Sequence, residues 1–507
     1  MVESYDTFHL TDGGAIPIST AMEDLGSCEI ARKGRIAEGQ KAYPKLSPWA
    51  TGSIPGDCRG NLKPAESQTY PFCLCRGFSA ARRRTTHGPS FGLGAPVSGF
   101  RSVGRNGLQS ADFRIPLQNG DESPEISSPS SSGAAHSDDL AFPRSGGGRP
   151  EIKLRAAVLG ATGIVGQRFV RRLASHPDFE LVALAASERS AGKRYRDACS
   201  WHLDGEAYAG FGDMIVQACS PEAFEADLVF SALDTVPARE IEPAFAALGS
   251  VVFSNASAFR MEDDVPLLIP ELNSAHLGIL ERQRAERGWK GAIVTNPNCT
   301  TVVLACALAP LERAFGIEAV MMTSMQAISG AGYPGVSAMD ISGNVIPYIR
   351  NEESKVESEA GKILGYLRGM GSGARQEAAA FPVSATCTRV PVVEGHTLAV
   401  SVRLRSSPSI GQVEDAFRGF IPDTAGLGLH SAPDRFLVLS DGPDRPQPKR
   451  DVEVDGGMRI TLGRVRPCPV MGIKFIALGH NTERGAAGAS VLNAELAYAK
   501  EVLRWVR

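Results

Sequence analysis

The turn GATGIVG at residues 160–166 constrains the fold more than any other feature, because it stands between an apolar run and a helical stretch. Glycines in this spacing let backbone amides approach a phosphate group at the positive end of a helix. The chain around the turn, 152–195, reads as strand, helix and strand. We interpret it as a nucleotide-binding βαβ unit; the alternative is a glycine turn that only keeps the backbone tight.

Residues 151–298 predict a parallel sheet. After the turn, apolar side chains recur at helical spacing and bury one helix face, namely Ile164, Val165, Phe169, Val170 and Leu173. The short apolar runs DLVFSAL, SVVFSNA and GAIVTN follow, separated by helical stretches. This alternation indicates an α/β class with a Rossmann-type, doubly wound parallel sheet.

Beyond residue 298 the pattern changes to a period of two. In HTLAVSVRLRS, four apolar side chains share one face of a strand: Leu398, Val400, Val402 and Leu404. A period of two suits an open-faced, antiparallel sheet. We predict an α+β catalytic and dimerisation domain, 299–479, with a mixed, largely antiparallel sheet. The final stretch, 480–507, reads as a helix that packs back on the first domain and completes it.

Residues 1–150 differ in composition from the rest of the chain. They contain ISSPSSSGAAHSDD, SGGGRP and the basic ARRRTT, with little sustained periodicity. We interpret the segment as a disordered extension. A second interpretation is a start assigned too early, so that the segment is not native. A third is an organellar targeting peptide, suggested by the Arg- and Ser-rich GFSAARRRTT and weakened by the length and the interspersed acids.

The composition excludes several classes of function. A net charge of -3 with 43% hydrophobic residues indicates no basic face for nucleic acid. The start, MVESYDTFHL, lacks the basic stretch followed by an apolar stretch that is typical of a signal peptide, and no uninterrupted apolar run approaches about 18 residues. We therefore expect neither secretion nor a membrane span. The ten cysteines lack metal-ligand spacing, so no metal site is predicted. Their scatter suits a reducing, cytoplasmic location.

The segment after the second strand favours NADP over NAD. An NAD site usually places an acidic side chain there, to bond the ribose hydroxyls. This chain reads AASERSAGKRY and offers Ser187, Arg189, Ser190 and Lys193. Hydroxyls and a guanidinium suit a 2′-phosphate. Glu188 in the same stretch opposes this reading, and a solvated basic loop is the alternative.

Cys299, in TNPNCTT, stands where a strand ends and the helix TTVVLACALAPLERAF begins. Unpaired backbone donors and the helix dipole at that point favour thiolate over thiol. A thiolate can attack an aldehyde to give a thiohemiacetal, which expels hydride to a nicotinamide and leaves a thioester. The alternative is a buried structural cysteine, the simplest role for Cys306 within the same helix.

Five motifs in order, GATGIVGQRF, NPNCTT, SMQAISGAGYPG, RVPVVEGHT and NTERGAAGA, closely resemble the aspartate-semialdehyde dehydrogenases, particularly their archaeal and fungal branch. The resemblance runs from about residue 153 to the C-terminus. It implies NADPH-dependent reductive dephosphorylation of 4-phospho-L-aspartate to L-aspartate 4-semialdehyde, a step toward lysine, methionine and threonine. It also implies a homodimer or homotetramer that associates through the second domain.

The same resemblance implies roles for individual side chains. Cys299 becomes the nucleophile and His396, in EGHT, the acid/base catalyst, although on the residues alone His396 could be a strand-end histidine. Gln326 would orient the acyl group or the catalytic water. Arg389 would hold the substrate carboxylate by a bidentate pair, which a lysine could not reproduce.

Further matches concern phosphate, the substrate amine and the cofactor. Arg260 and Lys355 match residues that bind inorganic or acyl phosphate, and Glu352 or its neighbour Glu353 would receive the ammonium group. A solvated charged face is the alternative for both segments. The predicted cofactor-binding residues are Gly160, Thr162, Gly163, Ile164, Val165, Ser187, Arg189, Ser190, Ser231, Asn298, Gly330 and Asn481.

Two rival functions stay open at this point. One is a reductase of the same build for another activated acyl group, resembling malonyl-CoA reductases or N-acetyl-glutamyl-phosphate reductases. The other is a non-catalytic, nucleotide-binding regulatory protein that keeps the fold.

Overall fold

Two six-stranded sheets and a two-stranded ribbon organise residues 153–505, the part of the chain that the computed structural model describes. The predictions for residues 1–150 lie outside the described residues. The strands are β1 (Leu154–Leu159), β2 (Phe179–Ala186), β3 (Gln217–Ala218), β4 (Leu228–Ser231), β5 (Val251–Ser254), β6 (Ala292–Thr295), β7 (Ile317–Gln326), β8 (Tyr366–Arg368), β9 (Arg375–Glu377), β10 (Val383–Arg389), β11 (His396–Leu404), β12 (Leu437–Ser440), β13 (Ile460–Cys468) and β14 (Gly472–Gly479).

The α-helices differ widely in length, from 4 to 17 residues. They are α1 (Ile164–Leu173), α2 (Tyr195–Ala198), α3 (Thr235–Leu248), α4 (Pro270–Asn273), α5 (Leu280–Arg287), α6 (Cys299–Phe315), α7 (Ala338–Ile341), α8 (Glu352–Leu364), α9 (Ile410–Arg418), α10 (Pro448–Asp451) and α11 (Ala487–Ala499). No helix within 153–505 is long and apolar enough to cross a membrane.

The first sheet has the order β3-β2-β1-β4-β5-β6, and every neighbouring pair is parallel. The predicted doubly wound sheet is therefore confirmed. The order reverses between β1 and β4, which leaves a crevice at the carboxyl ends of these strands. The glycine turn follows β1 at this crevice, and Ser231 ends β4 there.

Apolar strands are buried on both faces of this sheet, as parallel strands between helices must be. Val158 and Phe230 belong to a core shared with α1 and α11. Leu159 and Val229 belong to the opposite core, which α3 covers through Phe245. The C-terminal helix α11 packs on α1 and β5, so the end of the chain lies against the first sheet.

The second sheet has the order β10-β7-β11-β14-β13-β12. Its three central pairs are antiparallel and its two edge pairs are parallel, so the predicted mixed, largely antiparallel sheet is also confirmed. Leu398, Val400 and Val402 of β11 are buried in one core with α6, whose residues 300–311 are all buried. This helix carries the candidate nucleophile at its first residue and lies on the sheet that carries His396.

A buried carboxyl group in α3 makes the stability of the fold depend on pH. Glu242 is 0% exposed, and burial raises its pKa to about 7. Its Oε1 accepts a hydrogen bond from Ser254, whereas Oε2 has no partner among the described residues. Between pH 4.5 and about 7, Glu242 is therefore protonated in the native state and ionised in the unfolded state. The native state loses stability as the pH rises through this interval.

We expect Glu242→Gln to stabilise the protein above pH 7 and to have little effect below pH 4.5. The amide oxygen can still accept the hydrogen bond from Ser254. Because glutamine does not ionise, the variant avoids the cost of ionising a buried acid, which is about 3 kcal/mol of unfolding free energy at alkaline pH. Thermal unfolding between pH 4 and 9 measures the difference. Glu240→Gln, an exposed change on the same helix, is the control. A Glu242→Gln effect that is the same at all pH values would contradict the assignment.

Candidate active site

Cys299 is the first residue of α6 and follows β6 after a three-residue connection. Asn298 caps the helix, because its Oδ1 accepts the backbone N–H groups of Thr300 and Thr301 at 2.9 and 3.0 Å. The polar residues around the cysteine therefore serve the helix start, as their types suggest. Cys299 retains partial exposure, which a nucleophile needs, whereas Cys306 is fully buried in the core as predicted.

His396 lies beside the sulfur. Its Nε2 is 3.2 Å from Cys299 Sγ, and its ring is 0% exposed at the start of β11. Its other nitrogen, Nδ1, accepts the backbone N–H of Ala327 at 3.1 Å. The structure thus brings together two predicted catalytic residues that are 97 positions apart in sequence.

Glu352 holds the polar side of the site together. Its Oε1 accepts hydrogen bonds from Asn298 Nδ2, Thr300 Oγ1 and Gln326 Nε2 at 2.9, 3.1 and 3.0 Å. Glu353 instead accepts the backbone N–H of Cys387 in β10. Of the two adjacent glutamates, only Glu352 contacts the residues on either side of Cys299.

Arg389 ends β10 in register with Gln326 of the neighbouring parallel strand. Its side chain is 5% exposed, and Nη1 donates to the carbonyl of Ala327 at 2.8 Å. Gly330 packs directly on it: a Cβ there would lie 2.7 Å from Arg389 Nη1 and 3.1 Å from His396 Cε1. Glycine at 330 therefore lets the loop pack closely against both side chains.

Arg260 is buried at 2% exposure and donates from Nη1 to Glu359 Oε1 at 2.9 Å and from Nη2 to the Asn255 carbonyl at 2.7 Å. Its Nε–H has no partner among the described residues. Lys355 is partly buried on α8, between Glu352 and Glu359. The sequence reading missed Glu359; its spacing of two helical turns from Glu352, on the same face, was the available signal.

The charges in the site differ from the expectation of an activated thiolate. Burial, followed by the nearby Glu352 carboxylate, raises the pKa of the Cys299 thiol above its ordinary 9.0. Burial, followed by the charge of Arg389, holds the pKa of His396 well below 6.5. The expected lowering at the helix start is therefore outweighed by desolvation, and the pair is a thiol beside a neutral imidazole at pH 7.

We expect the alkylation of Cys299 by iodoacetamide to keep rising through pH 9, by about tenfold per pH unit, because only the thiolate reacts. Peptide mass mapping across pH measures the rate. Cys468 is the internal comparison, since hydrogen bonds from the backbone of Met471 and Val470 lower its pKa below 9.0. If the labelling rate of Cys299 levelled off at a lower pH than that of Cys468, the raised pKa of Cys299 would be contradicted.

The glycine turn is shaped for a phosphate. Gly160 has φ +72°, and a Cβ there would lie 2.7 Å from the Ala232 carbonyl oxygen. Gly163 precedes α1, which has neither a side-chain cap nor an acidic residue in its first turn. The nearest atom to a Cβ on Gly163 would be the Gly160 carbonyl oxygen, at 3.5 Å. Packing within the chain thus does not require this glycine, whereas a close phosphate would.

The other predicted cofactor residues occupy three settings. Thr162, Ile164 and Val165 line the turn and the first turn of α1. The polar loop after β2 exposes Ser187 and Arg189 and partly exposes Ser190. Two residues are engaged internally. Asn298 is the helix cap described above. Asn481 accepts the Gly395 N–H and donates to Ser329, both at 2.8 Å. Cofactor contacts by these residues stay predictions.

An ion-pair network that the sequence did not predict joins α1 to the loop between β10 and β11, which immediately precedes His396. Arg168 of α1 donates to Glu394 and Glu483, both at 2.8 Å. Glu394 precedes His396 by two residues and also accepts a hydrogen bond from Ser329. The helix that follows the glycine turn is thereby tied to the loop that immediately precedes His396. No cluster of metal-ligating side chains occurs within the described range.

Comparison with known proteins shows which family the chain resembles. The semialdehyde dehydrogenase NAD-binding domain model matches residues 155–279, and the semialdehyde dehydrogenase dimerisation domain model matches residues 308–484. An aspartate-semialdehyde dehydrogenase of Archaeoglobus fulgidus is 49% identical over 69% of this chain and 100% of its own length. One from Cryptococcus neoformans is 47% identical over 70% of this chain and 99% of its own.

A solved structure extends the similarity to the fold. The aspartate-semialdehyde dehydrogenase of Candida albicans, crystallised with NADP, superposes with a TM-score of 0.64 at 43% identity, covering 69% of this chain and 100% of that one. Sequence identity at this level over the whole length of the relatives, together with both domain matches, establishes the family. The chain belongs to the aspartate-semialdehyde dehydrogenase family.

Proposed function

We propose that the protein is an NADP-dependent enzyme that converts 4-phospho-L-aspartate to L-aspartate 4-semialdehyde and phosphate, in the biosynthesis of lysine, methionine and threonine. The observation that carries the proposal is the Cys299–His396 pair at 3.2 Å, with a buried arginine on β10 and a second one bonded to α8. A thiol next to an imidazole, flanked by cationic side chains, suits acyl transfer from an anionic substrate.

Substrate recognition needs a cation for the α-carboxylate and an anion for the ammonium group. Arg389 supplies the cation, and its Nε–H has no partner among the described residues, so a donor stays available for a carboxylate. Glu352 supplies the anion, and only one of its oxygens is taken up by the contacts described above. This arrangement favours an amino acid over malonyl-CoA, which has no amine.

His396 acts on the sulfur through Nε2. Because Nδ1 accepts the Ala327 N–H, the neutral ring carries its proton on Nε2. That N–H donates to the sulfur and stabilises negative charge on it and on a nearby carbonyl oxygen. To exchange a proton as an acid or base, the ring must first give up the Ala327 contact. This refines the acid/base role expected from the sequence.

The covalent step takes place on Cys299. Its sulfur attacks the acyl carbon and the thiol proton passes to the departing phosphate. The bond from that carbon to the phosphate oxygen breaks, which leaves a thioester and releases phosphate with the electron pair. Arg260 and Lys355 would hold the phosphate, and Gln326, positioned by Ser324 at 3.0 Å, would orient the acyl group. The C–S bond later breaks to return the thiolate and free the aldehyde.

The residues around the glycine turn fit NADP. The uncapped start of α1 would receive the pyrophosphate, and Ser187, Arg189 and Ser190 would contact the 2′-phosphate. When bound, NADPH supplies the hydride that reduces the thioester to the aldehyde. In this proposal residues 151–298 and 480–507 form the cofactor-binding domain, and 299–479 the catalytic and dimerisation domain.

The protein contains the family dimerisation domain, and we infer a cytoplasmic homodimer or homotetramer. Exposed apolar side chains on β7 and the segment after it support self-association: Met321, Tyr333, Met339, Val345 and Tyr348. The cysteines within 153–505 are free thiols, as a reducing compartment permits. Analytical ultracentrifugation distinguishes the oligomers.

The assay that tests the function is phosphate-dependent reduction of NADP with L-aspartate 4-semialdehyde by the purified full-length chain. We expect turnover that requires phosphate and a covalent acyl adduct on Cys299 by intact mass. Malonate semialdehyde with CoA is the comparison. Activity only with CoA, or cofactor binding without any turnover, would overturn the proposal in favour of one of the two rival functions.

A further inference from the structure

Glu359 joins two parts of the site that are far apart in sequence. It lies on α8 at 2% exposure, and its Oε1 accepts a hydrogen bond from Arg260 Nη1 at 2.9 Å. Its Oε2 accepts the backbone N–H of Asn298 at 2.6 Å. One carboxylate therefore bridges the arginine proposed to bind phosphate and the residue that immediately precedes Cys299.

A second anchor lies one turn further along α8. Lys362 donates from Nζ to the carbonyl oxygens of Arg260, Glu262 and Val265 at 2.8, 2.7 and 2.9 Å. Arg260 is thus held through its guanidinium by Glu359 and through its backbone by Lys362. Both anchors belong to α8, the helix that begins with Glu352. This one rigid helix therefore positions Arg260, the proposed phosphate ligand.

Burial makes the bridge strong and directional. A guanidinium and a carboxylate taken out of water are stable only when they are paired and hydrogen-bonded. Glu359 occupies Nη1 of Arg260 and Asn255 occupies Nη2, so rotation of the guanidinium would break two bonds. The Nε–H, which has no partner among the described residues, is then presented in a fixed direction.

We propose that Glu359 is a positioning residue of the reaction: it sets the spacing between Arg260 and Cys299, so that an acyl phosphate held by the arginine meets the sulfur. The inference rests on the proposed function, because it assumes that Arg260 receives phosphate. Glu359 itself contacts neither substrate nor cofactor in this scheme and acts through Arg260 and the Asn298 backbone.

The test compares Glu359→Gln and Glu359→Asp with the wild-type full chain in phosphate-dependent oxidation of the semialdehyde. Glutamine loses the charge, and aspartate keeps it but is too short to reach both partners. We expect the KM for phosphate to rise about tenfold, since a charged hydrogen bond is lost, and the KM for NADP to stay unchanged. Having two variants keeps the test valid if one of them fails to fold.

The matched control is Glu357→Gln on the same helix. Glu357 also accepts a backbone N–H, from Ala385 at 3.0 Å, but it does not contact Arg260 or Asn298. We expect it to leave the KM for phosphate unchanged. In an Arg260→Ala background, Glu359→Gln should lower kcat/KM for phosphate no further, because the glutamine oxygen can still accept the Asn298 N–H and only the contact with the arginine is lost. Additive losses would overturn the proposal, as would a wild-type phosphate KM in both Glu359 variants.

A readout without turnover separates this inference from the proposed function. Inorganic phosphate should slow iodoacetamide labelling of Cys299 in the wild type, and about tenfold more phosphate should be needed in Glu359→Gln. If phosphate slowed labelling of Cys299 in the wild type but supported no turnover of the semialdehyde, the proposed reaction would be refuted and the positioning role of Glu359 would stand. Wild-type protein without protection, or equal protection in the variant, would overturn the positioning role.

Discussion

Replacing Cys299 by serine is expected to reduce kcat/KM at least about a thousandfold, because it removes the sulfur that we propose as the nucleophile and carrier of the acyl group. Burial already raises the pKa of the thiol, so a hydroxyl group in the same place would ionise far less. His396 Nε2, at 3.2 Å, would then face a group with no negative charge to stabilise. Initial rates with semialdehyde, phosphate and NADP measure the loss.

Cofactor binding should survive this change, because only the sulfur is altered and the glycine turn is left intact. Fluorescence titration with NADPH checks this. Cys306→Ala, seven residues further along α6, is the control, and we expect it to alter stability more than turnover because Cys306 is 0% exposed. Activity of Cys299→Ser within tenfold of the wild type would rule out the thioester route.

Replacing Arg389 by lysine is expected to lower kcat/KM for the semialdehyde about a hundredfold. The guanidinium donates to the Ala327 carbonyl at 2.8 Å through Nη1 and still has an unpartnered Nε–H among the described residues. A lysine ammonium retains the charge but cannot make both contacts at once. Steady-state kinetics with varied semialdehyde at saturating phosphate and NADP measure the effect.

The control for this change is Arg403→Lys. Arg403 is a half-exposed arginine of β11 whose guanidinium lies 3.5 Å from Glu318 on the surface. We expect no change in kcat/KM there, since exposed ion pairs contribute little. An Arg389→Lys enzyme with wild-type kinetics would show that the substrate carboxylate is bound elsewhere. A loss confined to the KM for NADP would exclude the assigned role equally well.

Much of the fold could be predicted because each strand and helix leaves a pattern among neighbouring residues. The apolar run, glycine turn and helical spacing at 154–173 predicted β1 and α1, and both were found. The period of two in HTLAVSVRLRS predicted β11, whose alternate residues are buried. In both cases the pattern reflects which side of a single element faces the core, and that information lies in neighbouring residues.

The contacts of the site could not be predicted in the same way. The spacing of Glu359 from Glu352 could place it on the same helix face but could not reveal its partner, and the Arg168–Glu394 pair has no local pattern, because each contact joins residues that are far apart in the chain. The charge state of Cys299 was expected from the helix start, yet desolvation by the surrounding chain outweighs that effect. Burial depends on everything packed around a group, so one segment cannot reveal it.

The sequence by itself determined the two sheet types, the glycine turn and the residue types from which a family resemblance could be drawn. Only the tertiary structure decided which of Glu352 and Glu353 faces the site and which nitrogen of His396 faces the sulfur. It also showed that Asn298 caps the helix. The physical reason is that periodicity assigns a residue to a face, whereas hydrogen-bond partners depend on where separate elements meet.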